Sequence, residues 1–365
     1  MLMSMAKPFA KFAALAKPKR RWMQFSSRTG LLALTTLCVV LSIWVVPAER
    51  QRRAVTAIRS VGGFVTYAED EKGAKTTFAK AILRRWLPPD YLSGVQAVQL
   101  SETDADIAAT LGHLRALGRL QRLTLHRART TDRALAHLQG LTHLEELDLK
   151  LETRVTDGGL DHLQGLTGLR RLTLSHTQVT GAGLTHLRGL THLKWLNLGS
   201  IPIKDTGLAN LQGLADLEEL RLESAGITDA GLAHLRGLAK LRELWLVDTH
   251  TTDAGLAHLS GLRSLEWLSL NGTQVTDAGL IHLRELTRLR LLDLRRTHIA
   301  DAGLAHLQAL TGLQELDLSD TDVTDTGLAH LQAIQSLKWV ALSRKKVTTA
   351  GIKRLHDALP ACRIQ

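Results

Sequence analysis

Apolar positions in residues 94–358 recur on a cycle of about 24 residues, as in 262–285, LRSLEWLSLNGTQVTDAGLIHLRE. Leucines stand there at 262, 265, 268 and 270. The last two are two residues apart, which predicts a short strand with both side chains on one face. Val275 follows a loop, Thr276-Asp277 is a helix-start signal, and Gly279, Leu280 and Leu283 have helical spacing. Further copies begin at Leu117, Leu141, Leu166, Leu190, Leu214, Leu238, Leu286, Leu310 and Ile334, behind a degenerate coil using Val98, Leu100, Leu111 and Leu114. One copy cannot bury its own apolar edge, so the copies must stack into an α/β solenoid with a parallel inner sheet. Eleven strands at about 4.8 Å make that sheet roughly 50 Å wide.

Small departures from the repeat carry their own expectations. The copy from Leu141 has one extra residue between Leu149 and Val155, in a loop where insertion is cheap. Thr-Asp pairs such as Thr228-Asp229 are suited to cap the free amides of each helix. Nine copies, from Gly159 to Gly351, carry glycine two residues after the Asp position, which points to close approach between coils. Six copies end in glycine (Gly140, Gly165, Gly189, Gly213, Gly237 and Gly261), the usual residue just past a helix end.

Upstream the pattern changes. Residues 1–29 are basic, and 30–47, GLLALTTLCVVLSIWVVP, are free of charge. As a helix these eighteen residues span roughly 27 Å, just enough for a bilayer core. Trp44 suits an interface belt and Pro47 a helix stop. A transmembrane signal-anchor is expected, and the excess of cations ahead of it predicts a cytoplasmic N-terminus with the repeats outside. The alternatives are a signal peptide cleaved near Val46-Pro47-Ala48, giving a secreted protein, and a buried core helix, which fits the basic flanks badly. Residues 48–93 read as a juxtamembrane helix and N-terminal cap. A helix carries Ala54, Val55, Ile58 and Val61, Gly62-Gly63 breaks it, and Phe64–Tyr67 follow as a strand. A second short helix carries Phe78, Ile82, Leu83 and Trp86 and ends at Pro88-Pro89. The repeats fill 94–358, and 359–365 close the far end.

Charge then narrows the function. The chain has 365 residues and a net charge of +11, but residues 1–93 hold 16 Lys/Arg against 5 Asp/Glu, while 94–365 hold 30 of each. The excess flanks the apolar segment instead of lining the folded body, so no nucleic-acid partner is expected. Two cysteines, Cys38 and Cys362, offer no disulfide framework.

The pattern LxxLxxLxLxxT followed by VTDAGLAHL resembles the leucine-rich repeat family, and within it the helix-bearing subclass found in the recognition arms of F-box proteins. The resemblance implies a right-handed horseshoe that binds ligands on its concave sheet. The head-to-tail order also resembles membrane-anchored leucine-rich repeat proteins of planctomycete-type bacteria. There a basic apolar segment is likewise followed by an arginine-rich helix, here Arg50 to Arg59, and a Gly-Gly-x-Val-x-Tyr turn, here Gly62 to Tyr67. No F-box precedes the repeats, so the rival role of a substrate receptor in a ubiquitin-ligase-like complex rests on repeat subclass alone.

Chemistry-bearing residues mostly reduce to the repeat. Nine histidines from His113 to His330 share one helix position, with Asn210 filling the gap. Side chains on neighbouring helices about 8–10 Å apart project in parallel and do not converge on a metal, so bonds between coils are expected. Ser319–Asp325 lacks the glycine and final glutamate of a calcium loop. No phosphate loop, HExxH or nucleophile elbow occurs, so neither catalysis nor a cofactor is expected. The tryptophans stand out. Beyond Tyr91 the aromatics are Trp195, Trp245, Trp267 and Trp339, each at a strand position facing away from the core leucines. Exposed tryptophan is enriched at binding hot spots; the alternative is that the rings merely cover neighbouring residues. The expected partner-binding set is Trp195, Asn197, Glu219, Arg221, Glu243, Trp245, Trp267, Ser269, Asn271, Asp293 and Trp339. Mixed charge with isolated aromatics suits a protein or peptide. The expectation is a membrane-anchored, non-catalytic protein-recognition solenoid.

Overall fold

Thirteen strands run side by side among the residues that the computed structural model describes, which are 27–68, 91, 93–102 and 107–365. They are β1 (Phe64–Tyr67), β2 (Val95–Ser101), β3 (Arg122–His126), β4 (Glu146–Asp148), β5 (Arg171–Thr173), β6 (Trp195–Asn197), β7 (Glu219–Arg221), β8 (Glu243–Trp245), β9 (Trp267–Ser269), β10 (Leu291–Asp293), β11 (Glu315–Leu318), β12 (Trp339–Leu342) and β13 (Arg363–Ile364). They pair in chain order, β1 antiparallel to β2 and the rest parallel. The expected eleven become thirteen because β1 and β13 each add a strand at an end of the stack. Leucines at the strand centres, such as Leu196, Leu220, Leu244 and Leu268, are fully buried and meet those of the next coil.

The chain divides into two compact units, Met1–Arg50 and Gln51–Gln365. In the first, an α-helix (Ser27–Val40) is followed directly by a π-helical turn (Leu41–Val45) and by the start of a second α-helix (Val46–Ser60). Pro47 has no N–H for the carbonyl four residues back at Ile43, and the hydrogen-bond ladder changes register there. The single helix expected over 30–47 is thereby interrupted. Among the described residues no helix is long and apolar enough to cross a membrane. Leu31, Leu32, Leu34 and Ile43 are exposed.

In the second unit, Ala54, Val55 and Ile58 are buried in the same core as the first coil. Gly62, at φ +80°, turns the chain into β1, and a Cβ on Gly63 would lie 2.4 Å from Leu100. The helix expected around Phe78 to Trp86 and the basic segment 1–26 lie outside the described residues. Opposite the sheet, several coils hold one α-helical turn running into a 3₁₀ turn, as at Asp229–Leu232 and Ala233–Leu235. Others, such as Asp277–Leu283, are 3₁₀ throughout.

The Thr-Asp pair divides its labour. Thr228 accepts from the Ala230 N–H as a helix cap, while the aspartate reaches the next coil. Asp229 Oδ1 accepts from the Thr252 N–H at 2.8 Å and Oδ2 from the Thr252 hydroxyl at 2.6 Å. The same two-pronged clamp joins Asp132 to Thr156, Asp157 to Thr180, Asp205 to Thr228, Asp253 to Thr276, Asp301 to Thr324 and Asp325 to Thr348. It also explains the glycine column. A Cβ on Gly231, Gly255, Gly279 or Gly303 would sit 2.3–2.4 Å from the preceding coil's Asp Oδ1. The coil-end glycines differ from expectation: of the six, only Gly140 has positive φ, because elsewhere the chain leaves its last turn in a conformation open to any residue.

Two local departures are structural devices. The insertion between Leu149 and Val155 is no slack loop. Glu152, 1 % exposed, accepts from the Ala128 N–H and, at 2.7 Å, from the Thr130 N–H of the preceding coil. Burial holds its carboxyl above the usual carboxylate range against the lowering effect of those bonds. Between the coils starting at Leu166 and Leu190 the clamp is missing, since Gly181 replaces the aspartate and Lys204 the threonine. Asn210, the gap in the histidine column, donates to the Gly181 carbonyl at 3.1 Å. Three irregularities of sequence thus meet at one junction.

Candidate protein-binding face

Each three-residue strand sends its middle side chain inward and its two neighbours to the open face, where the parallel register lines them up in rows. One row reads Arg171, Trp195, Glu219, Glu243, Trp267 and Leu291 from β5 to β10. The next reads Thr173, Asn197, Arg221, Trp245, Ser269 and Asp293.

The two rows interlock. The Arg171 guanidinium lies 4.5 Å from the centre of the Trp195 ring, and that of Arg221 lies 5.7 Å from Trp195 and 4.8 Å from Trp245. Trp245 and Trp267 are 5.0 Å apart with their planes at 32°. A cation–ring–cation–ring–ring strip therefore crosses five strands, each cation–ring contact contributing about 0.5–1 kcal/mol. Arg171 was not expected in this strip; its position directly before Trp195 in the row was the available signal. Trp339 shares the face but not these ring contacts.

The tryptophans occupy their expected strand positions but are half-buried, not exposed, because rings and guanidinium groups cover one another. The polar members of the expected set divide. Ser269 is fully buried and donates to Asp293 Oδ2 at 2.9 Å, and Asp293 is buried too, its Oδ1 accepting from the Arg295 N–H at 3.0 Å. These two are therefore corrected to structural roles. Asn197 Oδ1 accepts from the Gly199 N–H at 2.9 Å. Asp148 and Asp317 do the same for the amides two residues on. The signal was an Asp or Asn between the two strand leucines. Asn271 accepts from Arg296, which also pairs with Asp248 at 2.9 Å. Glu219 pairs with Arg221 at 2.7 Å. Glu243 has no ion pair, and burial, then neighbouring Glu219, pushes its carboxyl above the ordinary range. The Trp245 and Trp267 indole N–H groups are buried without hydrogen bonds of normal geometry.

Off this face, the histidine column does bind coil to coil. Nδ1 of His162 lies 3.1 Å from Gln139 Nε2, and that of His234 lies 2.9 Å from Gln212 Nε2. Burial, then the Arg236 guanidinium, pushes His258 below the usual imidazole value. Among the described residues no group of His, Cys, Asp and Glu could hold a metal ion.

A sheet built one strand per coil, parallel from β2 onward, with leucine-lined coils behind it and a structured open face, makes the chain a repeat solenoid. The family described as "Leucine Rich repeat" matches residues 310–331. An internalin, InlF, from Listeria monocytogenes is 22% identical, with 78% of this chain and 92% of that one covered at a TM-score of 0.51. Internalin C2 from the same organism is 29% identical over 59% of this chain and 84% of that one, at a TM-score of 0.47. No curated protein matches the chain.

Proposed function

We propose that the protein is a non-catalytic recognition module whose open sheet face binds a protein segment along Trp195, Arg221, Glu243, Trp245 and Trp267. The Arg171–Trp267 strip carries this reading. Large rings and guanidinium groups held in place by one another present contact area whose ordering cost was met on folding, as a hot spot requires. We further infer that the first unit holds the repeats to a membrane, with the N-terminus in the cytoplasm. Its support is the uncharged run 30–47, roughly 27 Å if helical throughout, with exposed Leu31, Leu32, Leu34 and Ile43 between basic flanks.

The test compares the full chain with the Trp195→Ala/Trp245→Ala/Trp267→Ala variant as baits for envelope proteins, after circular dichroism shows equal folding. A protein retained by the first and lost by the second is expected; equal retention by both removes the face from the function. Fractionation checks the anchor. Release by alkaline carbonate without detergent would eliminate it.

A further inference from the structure

Among the described residues, Glu243 stands on the open face without an ion pair. Trp195, Glu219, Glu243 and Trp267 occupy successive places in a single row, so two carboxylates stand directly opposite each other between two tryptophans. Like charges directly opposite on neighbouring strands destabilise a sheet. Arg221 answers only half of the problem. Its Nε is 2.7 Å from Glu219 Oε1, and its guanidinium is spent on the Trp195 and Trp245 rings. Glu243 is half-buried and makes no ion pair; the Trp245 indole N–H beside it eases, without cancelling, the upward push of burial and Glu219 on its carboxyl. That N–H points at the carboxylate, and the Trp267 indole N–H is buried without an acceptor. A carboxylate without a counter-ion, held between tryptophans on the open face, is half of an ion pair that a bound cation completes.

We propose that Glu243, reinforced by Glu219 and flanked by Trp195 and Trp267, is a socket for a basic side chain, arginine or lysine, of the protein segment bound on this face. The chemistry selects that group. A cation is attracted by carboxylate and ring together, and a guanidinium can bond the carboxylate while lying against indole. An acidic or phosphorylated segment would meet Glu219 and Glu243 directly. The inference rests on the open-face reading above and specifies what that face recognises.

The full chain in detergent micelles is titrated at low salt, by tryptophan fluorescence, with acetyl-Gly-Arg-Gly-Arg-Gly-amide. Its citrulline counterpart, equal in shape but uncharged, and its glutamate counterpart serve as comparisons. Saturable binding of the arginine peptide is expected, at least tenfold tighter than citrulline and weakening with salt, with no binding of the glutamate peptide. Glu243→Gln should erase the preference while raising the thermal midpoint of the free protein by about 2 °C, since it removes an unpaired charge. Equal affinity for arginine and citrulline, a preference that survives Glu243→Gln, or no saturable change with any peptide overturns the socket. If the envelope partner is lost by the triple-tryptophan variant but kept by Glu243→Gln, the face stands and the socket falls. If both variants keep it, both readings fall.

Discussion

Gly279→Ala separates two explanations of the glycine column by sign. Judged by helix propensity alone, alanine in a helical turn is better than glycine by about 1 kcal/mol. Gly279 is not at positive φ, so nothing in its own backbone opposes the change. The neighbouring coil does. The new Cβ would lie 2.3 Å from Asp253 Oδ1 and 3.0 Å from its Cγ. That carboxylate accepts from the Thr276 N–H at 2.8 Å and from its hydroxyl at 2.6 Å. Making room means swinging it away and losing both bonds. For partly solvated bonds to a charged acceptor the loss is about 1.5 kcal/mol each. Against the propensity gain, Gly279→Ala should therefore destabilise by about 2 kcal/mol. In an Asp253→Ala background the bonds are already gone and the nearest remaining contact is Cα at 3.1 Å, so the same change should cost close to nothing. Urea unfolding of the four proteins measures the coupling, with m compared throughout because repeat arrays can lose two-state behaviour. Stabilisation by Gly279→Ala, or an equal penalty in both backgrounds, would refute the clamp as the reason for the glycine.

Two further outcomes follow from the irregular coils. Glu152→Ala leaves the Ala128 and Thr130 amides without acceptors in a buried loop and should cost about 2–4 kcal/mol. The folded Glu152 carboxyl is raised above 4.5, so the native state binds the proton more tightly. Wild type should gain stability relative to Glu152→Ala as pH falls from 7 through that raised value, the gain levelling off below 4.5, where the unfolded carboxyl is protonated too; a relative loss in this window, read from urea midpoints, would contradict the sign. At the junction without a clamp, amides from Lys204 to Asn210 should exchange with solvent at least tenfold faster than their equivalents at 228–234, and Asn210→Ala should widen the gap. Equal protection by mass spectrometry would show that the junction is not weaker.

The coils were legible because their signal is repeated. A leucine spacing seen once is ambiguous between strand and buried helix, but seen ten times it leaves one architecture. Facing was legible for the same reason: Trp195 beside Leu196 had to point away from the core. Contacts reaching from one coil to the next were harder to read. Period alone places Thr228 and Asp229 at a helix start, and only the neighbouring coil shows that one caps while the other clamps. Ser269 and Asp293 read as surface polar residues because strand alternation gives direction, not depth. The extra residue at Glu152 looked cheap because loop insertions usually are, and its burial depends on two amides 22–24 residues away. Within the site, a row of side chains could be written from the repeat, while the stacking of Arg171 on Trp195 depends on rotamers that spacing does not specify.

The missing clamp also has a mechanical meaning. In a stack where each coil holds its immediate neighbours, tension between the two ends passes through every junction in series. A pull between the N-terminal region and a partner seated beyond β7 must cross the Gly181–Lys204 junction. On the open face, that junction is spanned by Arg171 on Trp195, with strand pairing beneath. Where every clamped junction would resist shear through paired bonds to a carboxylate, this one resists on its loop side through the Asn210 amide bond. Under load the junction between the coils of Leu166 and Leu190 should part before its clamped neighbours, as a fuse does, sparing the leucine-packed coils on either side.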